Sequence, residues 1–229
     1  MTLLDRLRGG LIVSVQARAG SALDDPHVLA AMAAAAQENG AAGVRIQGVR
    51  NLQAVRKRVS IPIVGIIKRE YEGHEPYITP TMREVREVLE CGAEIVAFDA
   101  TGRAHPQGHE VAELIAEIHG GGALAMADCA LADDGVCAKA AGADIVATTL
   151  CGYTKETRAA VLPALDLVRA FAQLGCFVIC EGGIHAPAAG AAALDAGADA
   201  VVVGTAITNT EWLVRQYAAA LGQPKSSPA

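Results

Sequence analysis

The sequence predicts an α/β fold, a single (β/α)8 barrel of the TIM type that spans residues 1–229. Three observations predict it. A Gly-Ala phrase that leads from a helix end into a β-branched run occurs four times along the chain. Eight apolar runs of strand length alternate with helical stretches, and eight is the number that this closed parallel barrel requires. The length of 229 residues suits one such barrel, and no linker or change in composition marks a second domain.

The Gly-Ala phrase itself predicts four of the eight strands. Glycine takes the left-handed conformation at the helix end, and alanine lets the helix pack closely on the strand that follows. The phrase and its strand occur as "NGAAGVRI" at 39–46, "CGAEIVAFD" at 91–99, "AGADIVATT" at 141–149 and "AGADAVVVG" at 196–204.

The other four strands are apolar runs between these phrases. They are "GLIVSVQ" at 10–16, "PIVGIIK" at 62–68, "GALAMAD" at 122–128 and "CFVICEG" at 176–182. Helical stretches are predicted at 28–38, 81–90, 109–118, 132–141, 187–196 and 210–221. Strands that are apolar along nearly their whole length indicate a parallel sheet covered by helices. An open doubly wound sheet is the alternative, and it usually has fewer strands.

The composition narrows the classes of function. Hydrophobic residues make up 52% of the chain and aromatic residues 3%, so the core must consist mainly of Ala, Val, Ile and Leu. A formal net charge of −6 without a basic cluster argues against nucleic-acid binding. No segment has the length of a membrane span, and the N-terminus lacks the pattern of an export signal. The six cysteines show no C-x-x-C spacing, which indicates reduced thiols in a cytoplasm and no zinc site.

The predicted strands turn polar where they end. In a (β/α)8 barrel the carboxyl ends of all strands meet at one mouth, where active sites are built. Charged side chains of both signs should therefore converge there. The polar strand-end residues are Ser14, Gln16, Arg45, Gln47, Lys68, Asp99, Asp128, Thr148, Thr149, Glu181 and Thr205.

Strand alternation indicates which of these side chains point into the barrel. Lys68 shares a strand face with Ile66 and Val64, and Glu181 shares one with Ile179. Asp128 shares its face with Met126 and Leu124, and Arg45 shares one with Gly43. Because these partners are types that fill a barrel, we expect the charged side chains to point inward at the mouth.

Lys68 is the candidate for chemistry. An amine beside apolar residues loses hydration, which lowers its pKa and makes the neutral form available. That amine can serve as a general base or attack a carbonyl to form a Schiff base. A lysine–carboxylate ion pair that closes the barrel end is the structural alternative. A base opposite an acid, Glu181, suits removal and return of a proton next to a carbonyl, with Arg45 and Asp128 holding hydroxyls or the partner carboxylate.

The last two strands predict a phosphate site. Phosphate sites in this fold are commonly formed by the loops after strands 7 and 8. These loops begin with Gly182 and Gly183 in "EGGIHAP" and with Gly204 and Thr205 in "GTAITN". Bare glycine backbone lets N–H groups approach an anion, and the threonine hydroxyl adds a donor.

The chain resembles the N-acetylmannosamine-6-phosphate 2-epimerase family over almost its whole length. The resemblance is carried by "GLIVSVQA", "PIVGIIKREY" with "YITPT", "FDATGRAHP", "DIVATTLCGYT" and "AVVVGTAIT". It implies interconversion of N-acetylmannosamine 6-phosphate and N-acetylglucosamine 6-phosphate in sialic-acid catabolism, without cofactor or metal. The family's catalytic lysine and glutamate match Lys68 and Glu181. Its supporting glutamine, arginine and aspartate match Gln16, Arg45 and Asp128.

Two positions depart from the family pattern. The family usually has "GSAITRP" at its last strand, and here the phrase is "GTAITNT", so Asn209 stands in place of an arginine. The family often has "EGR" after strand 7, and here Gly183 stands in place of that arginine. Both positions bear on the anionic end of the substrate and leave Lys68 and Glu181 intact.

Two rival functions use the same barrel. In a Schiff-base aldolase or lyase, Lys68 would attack the sugar carbonyl; in a non-catalytic protein, the barrel would only bind a sugar phosphate. For all three readings we expect a small-molecule partner, an amino-sugar phosphate for the epimerase, and neither nucleic acid nor membrane. A homodimer is compatible with each of them.

Two loops each have two possible roles. The loop "YEGHEPYITPT" at 71–81, with His74, either closes over the site or is solvated. Arg103 either binds the sugar or pairs with Asp99.

Overall fold

The computed structural model describes residues 1–222, and residues 223–229 of the predicted domain lie outside the described part. Eight parallel strands form a closed barrel in sequence order, and β1 pairs with β8 to close it. The predicted (β/α)8 fold is confirmed. The strands are β1 (Leu11–Val15), β2 (Gly43–Gln47), β3 (Ile63–Ile66), β4 (Ile95–Asp99), β5 (Leu124–Asp128), β6 (Ile145–Ala147), β7 (Phe177–Glu181) and β8 (Ala200–Val203).

Helices surround the barrel. They are α1 (Leu3–Leu7), α2 (Pro26–Glu38), α3 (Val49–Arg56), α4 (Met82–Leu89), α5 (Val111–Gly120), α6 (Ala132–Ala140), α7 (Leu165–Ala172), α8 (Pro187–Asp195), α9 (Thr205–Thr208) and α10 (Thr210–Ala220). The six predicted helices are present. The helices α3 and α7 follow β2 and β6, as the predicted alternation of strands and helices requires. None of the helices in residues 1–222 is long and apolar enough to cross a membrane.

The strands separate two apolar layers. Alternate side chains such as Ile12, Val64, Met126 and Ile179 fill the barrel interior. The others, such as Val13, pack outward against the helices. This is the alternation expected from the sequence, and it aims the strand-end side chains of the inner set at the mouth.

One glycine sets the packing of α4 on the barrel. A Cβ atom at Gly65 of β3 would lie 2.4 Å from Cγ1 of Val88 and 2.9 Å from Cβ of Ala93. Glycine at this position therefore lets the helix lie directly against the strand. Close helix packing of this kind holds the end of β3, and hence the segment that carries Lys68.

The amino ends of the strands are closed by α1. Leu7 of α1 is fully buried and packs with Ile12 in the interior layer. Arg8 forms an ion pair with Asp199 and lies 5.3 Å from the centre of the Phe177 ring. The interior is thus sealed at this end, and the carboxyl ends of the strands form the open mouth.

The loop after β3 folds back over that mouth. Ile78 is 3% exposed and belongs to the interior layer. Its carbonyl accepts a hydrogen bond of 2.9 Å from the amide of Asp99, and Lys68 and Ile78 form an isolated antiparallel bridge. His74 hydrogen-bonds the carbonyl of Ala104 through Nδ1 at 3.1 Å. The structure therefore shows both alternatives in one loop: residues 77–81 pack at the mouth, whereas residues 72–75, with His74, are exposed.

Candidate active site

A cavity of about 380 Å³ lies at the carboxyl ends of the strands. Eight of the nine predicted site residues line it: Gln16, Arg45, Lys68, Glu181, Gly182, Gly183, Gly204 and Thr205. The ninth, Asp128, is fully buried and lies outside the lining, beneath Arg45. The sequence pattern therefore located the cavity, while the direct substrate contact expected of Asp128 stays a prediction.

Arg45 is the centre of a buried charge cluster. Its side chain is 1% exposed and donates to both oxygens of Asp128, with Nη2–Oδ2 at 2.5 Å and Nη1–Oδ1 at 3.1 Å. Nη1 also donates to Oε2 of Glu181 at 2.6 Å. The hydroxyl of Thr149 donates to Oδ1 of Asp128 at 2.6 Å and to Oε2 of Glu181 at 3.3 Å. One guanidinium therefore holds two carboxylates in fixed positions.

Burial and the charge of the ion-pair partner shift the pKa values of Arg45 and Glu181 in opposite directions. Burial lowers the pKa of Arg45, because it disfavours the charged guanidinium. The negative charges of Asp128 and Glu181 have the larger effect, so the pKa of Arg45 is raised above its usual value. Burial raises the pKa of Glu181 above 4.5, partly offset by the charge of Arg45 and supported by the negative charge of Asp128. Glu181 therefore keeps its proton at a higher pH than an ordinary glutamate.

Lys68 lies two residues beyond the end of β3, where its side chain is exposed to the cavity. Within residues 1–222 its ammonium takes part in no ion pair, because Arg45 occupies the carboxylates of Asp128 and Glu181. Burial of the amine by the cavity walls lowers its pKa below 10.5, and the charge of Arg45 lowers it further. The lysine–carboxylate pair considered as a structural alternative is absent from this part of the chain.

Two buried polar atoms at the cavity have no protein partner in residues 1–222: Oε1 of Gln16 and Nε of Arg45. Gln16 is held by a hydrogen bond of 2.8 Å from its Nε2 to Oγ of Ser14. A buried polar atom without a partner costs roughly 1–3 kcal/mol. Since both residues line the cavity, a bound ligand can supply the missing partners.

The loops after β7 and β8 present free backbone amides. In residues 1–222 the amides of Gly183, Ile184, Thr205 and Ala206 donate no hydrogen bond. Gly183 has a φ of 70°, and a Cβ atom there would lie 2.3 Å from Cβ of Leu162. This loop conformation therefore favours glycine at position 183, where the family pattern has an arginine.

Asn209 has a structural role of its own. Its Oδ1 accepts a hydrogen bond of 2.9 Å from the amide of Trp212, so Asn209 caps the N-terminus of α10. Asn209 also lines the cavity, as does His185, whose ring stacks on Trp212 at 5.2 Å between centres. The substitution of the family arginine thus leaves the β8 loop ordered but without a cation.

Other residues that line the cavity were not predicted as site residues. Thr149 was noted as a strand-end residue, but only the structure shows it bridging Asp128 and Glu181. Tyr77 and Tyr153 come from the loops after β3 and β6. Arg18 comes from the loop after β1, two residues beyond Gln16, a spacing that could have drawn attention to it.

The second charged pair at the strand ends stays away from the cavity. Arg103 donates to Oδ2 of Asp99 at 2.6 Å and to the hydroxyl of Thr101 at 2.8 Å. Neither Arg103 nor Asp99 lines the cavity. Of the two alternatives for Arg103, the structure shows the ion pair. Within residues 1–222, no group of three or more His, Cys, Asp or Glu side chains is placed to hold a metal ion.

Enzymes of the (β/α)8 fold carry out their chemistry at this mouth. The cavity combines an amine whose pKa is lowered with a carboxyl group whose pKa is raised, which equips it for proton transfer. The protein is therefore a (β/α)8-barrel enzyme that acts on a small polar molecule.

Comparison with known proteins identifies the family. Residues 29–223 match the family model described as "Putative N-acetylmannosamine-6-phosphate epimerase". Because this match covers more than half of the chain, the protein belongs to that carbohydrate-epimerase family, as the sequence motifs implied.

Individual relatives are similar to this chain over nearly their full lengths. A protein of Edwardsiella ictaluri described as "Putative N-acetylmannosamine-6-phosphate 2-epimerase" is 48% identical over 214 residues, covering 93% of this chain and 89% of its own. A Yersinia pestis protein with the same description is 46% identical over 218 residues, covering 95% and 92%. The solved structure of the N-acetylmannosamine-6-phosphate 2-epimerase from Clostridium perfringens superposes with a TM-score of 0.93 at 39% identity, covering 96% of each chain.

Proposed function

We propose that this protein is a cofactor-independent epimerase that interconverts N-acetylmannosamine 6-phosphate and N-acetylglucosamine 6-phosphate in amino-sugar (sialic acid) catabolism. The observation that carries the proposal is the placement of Lys68: it lies at the cavity without a carboxylate partner in residues 1–222, beside Glu181 and Arg45. Membership of the family and the names of its relatives support this choice of substrate.

The proposed reaction is a proton transfer at C2 of the opened sugar. Ring opening exposes the C1 aldehyde, which makes the C2 proton acidic. The neutral amine of Lys68 takes the C2 proton, and the electrons of the C2–H bond move toward the C1 oxygen to form an enediolate-type intermediate. A second residue or a substrate hydroxyl then delivers a proton to the opposite face of C2, the enediolate returns to the aldehyde as the epimer, and Lys68 releases the proton it took to water.

Glu181 is proposed to act at the C1 oxygen. Its pKa is raised mainly by burial, which suits it to share a proton with the negative charge that develops on the C1 oxygen. Arg45 fixes Oε2 of Glu181, while Oε1 has no protein partner in residues 1–222. We propose Gln16 and Nε of Arg45 as further contacts to the substrate, since both have unpaired buried polar atoms at the cavity.

Solvent deuterium tests the reaction directly. In D₂O, product formed from N-acetylmannosamine 6-phosphate is expected to carry deuterium at C2, because both the Lys68 ammonium and the group that returns the proton exchange with water. Proton NMR follows the loss of the C2–H signal, and a sample treated with a chelator should react at the same rate.

The other outcomes separate the rival functions. Epimerised product with hydrogen at C2 would contradict proton exchange through Lys68. A product of carbon–carbon cleavage would instead identify an aldolase or lyase. No reaction with either amino-sugar phosphate would leave a non-catalytic sugar-phosphate binder.

The 6-phosphate is proposed to bind at the loops after β7 and β8. Gly182, Gly183, Gly204 and Thr205 line this end of the cavity, and the free amides of Gly183 and Thr205 are suitable donors to phosphate oxygens. The hydroxyl of Thr205 is an additional donor.

Substitution of Thr205 tests this location. Thr205→Asp is expected to raise the KM for the 6-phosphate by more than about tenfold, since it places a carboxylate against a dianion. Thr205→Asn is the control of matched size without charge, and it should change KM far less. Gly183→Asp is a poorer probe, because a Cβ there would collide with Leu162. Equal KM values for the two Thr205 variants would contradict the location.

We also propose that the enzyme is a homodimer in the cytoplasm. The dimer is supported by an exposed apolar patch, in which Val214 and Tyr217 of α10 and the C-cap residue Leu221 are exposed at 60%, 71% and 76%. The cytoplasm is supported by the six cysteines, all free thiols in the structure. A solution mass of 23.5 kDa, that of one chain, would contradict the dimer.

A further inference from the structure

The phosphate end of the cavity receives no cation from its own two loops. The lining residues contributed after β7 and β8 are Gly182, Gly183, Ile184, His185, Gly204, Thr205, Thr208 and Asn209. None of them is a lysine or arginine, and Oδ1 of Asn209 is engaged as a helix cap. Backbone amides and the hydroxyl of Thr205, all uncharged, would face a dianionic phosphate there. A cation from a neighbouring loop would neutralise part of that charge.

Three lysine or arginine side chains line the cavity within residues 1–222: Arg18, Arg45 and Lys68. Both Nη atoms of Arg45 donate to Asp128 and Glu181 in the buried cluster, which neutralise its charge. Lys68 is the proposed base and must be neutral to act. Arg18 is exposed and takes part in no ion pair in this part of the chain. Its charge is therefore available to a ligand.

The barrel places the Arg18 loop against the β8 loop. β1 pairs with β8, with Val13 opposite Val203. The hydroxyl of Thr208 donates to the carbonyl of Ser14 at 2.8 Å, and a Cβ atom at Gly204 would lie 3.2 Å from Cβ of Ser14. Closure of the barrel thus brings the loop that follows β1 beside the proposed phosphate site.

The backbone around Arg18 is held by its own hydrogen bonds. The amide of Ser21 donates to the carbonyl of Arg18 at 3.0 Å, and the amide of Gly20 donates to Oδ2 of Asp24 at 2.9 Å. The loop therefore has a defined turn, and Arg18 lines the cavity with no carboxylate paired to its side chain within residues 1–222.

We propose that the guanidinium of Arg18 binds the 6-phosphate of the substrate and determines the preference for a phosphorylated sugar. This inference rests on the proposed function, and it adds a cation from the β1 loop to the phosphate site at β7 and β8. Arg18 acts on binding, not on the proton transfer at C2.

Arg18→Gln tests the assignment through the split between KM and kcat. We expect the KM for N-acetylmannosamine 6-phosphate to rise about 10- to 100-fold, the range for loss of a hydrogen bond between charged groups, with kcat changed less than about threefold. Arg18→Lys should keep part of the affinity, because it retains the charge but loses the two-pronged geometry. Arg58→Gln, an exposed arginine that follows α3, is the control for the change in net charge.

A second variant tests where the charge is needed. In Arg18→Gln with Asn209→Arg, the cation returns from the β8 loop that lines the same cavity. The KM of this double variant should fall below that of Arg18→Gln. A KM for Arg18→Gln within about twofold of the unsubstituted enzyme would overturn the inference, since a charged contact contributes more than that. A fall in kcat without a rise in KM would also overturn the inference. If the unsubstituted enzyme does not epimerise the sugar phosphate, the proposed function is wrong. This outcome differs from a failure of the Arg18 inference, in which the unsubstituted enzyme is active and Arg18→Gln keeps its KM.

Discussion

Replacement of Lys68 with alanine is expected to lower kcat by about 100-fold to 10,000-fold, the contribution typical of a general base. The physical reason is that the variant removes the proton carrier from the cavity. Arg45, Asp128 and Glu181 stay paired with each other, since Lys68 has no ion pair within residues 1–222. The thermal unfolding midpoint should therefore stay close to that of the unsubstituted protein. Steady-state epimerisation and a melting curve are the two measurements.

Two controls sharpen this prediction. Lys68→Met retains the aliphatic stem without the amine and should lose as much activity as the alanine variant. Lys57→Ala removes an exposed lysine at the C-cap of α3 and should leave kcat unchanged. More than about a tenth of the unsubstituted rate in Lys68→Ala would exclude Lys68 as the essential base. Borohydride should not trap a substrate adduct on Lys68, whereas trapping would show Schiff-base chemistry.

The sequence pattern was sufficient to predict the barrel and much of its cavity. Side-chain alternation along a strand is a geometric constraint, so the inward faces that end in Lys68 and Glu181 could be inferred without a structure. Barrel closure then requires these ends to meet at one mouth. The lining of the cavity by Gln16, Arg45 and the glycines of the last two loops follows from the same two rules.

The sequence pattern could not predict how deeply each side chain lies within the mouth, nor the conformation of the loops. Asp128 is the last residue of its strand and is fully buried inside the barrel. It therefore contacts Arg45 and does not reach the cavity surface. Asn209 could be recognised as a departure from the family, but its capping of α10 depends on the turn between α9 and α10. Arg18 lies in a loop whose direction no strand rule determines.

The second large effect is expected from Arg45. Arg45→Met should lower the free energy of unfolding by about 3–5 kcal/mol, the cost of removing one partner from a buried ion pair. The variant keeps most of the side-chain volume but leaves Asp128 and Glu181, both held by Thr149, without their counter-charge. Denaturant unfolding measures the loss. Arg86→Met is the control, since Arg86 is mostly exposed in its pair with Glu117 and its loss should lower the free energy of unfolding far less.

The pH dependence of this loss identifies its cause. The folded-state pKa of Glu181 is already raised above 4.5 by burial, and the charge of Arg45 opposes that shift. Without Arg45 the pKa must rise further. A raised folded-state pKa means that the folded protein binds the proton more tightly, so stability decreases as pH increases from the unfolded-state pKa through the folded-state pKa. The loss in free energy of unfolding caused by Arg45→Met should therefore be smaller at about pH 5 than at about pH 8, because the higher pH favours the charged form of Glu181. Adding Asp128→Asn and Glu181→Gln to Arg45→Met should recover part of the stability, because neutral groups need no counter-charge. A deficit that is the same at both pH values and is unchanged in the triple variant would mean that lost packing, rather than uncompensated charge, causes the effect.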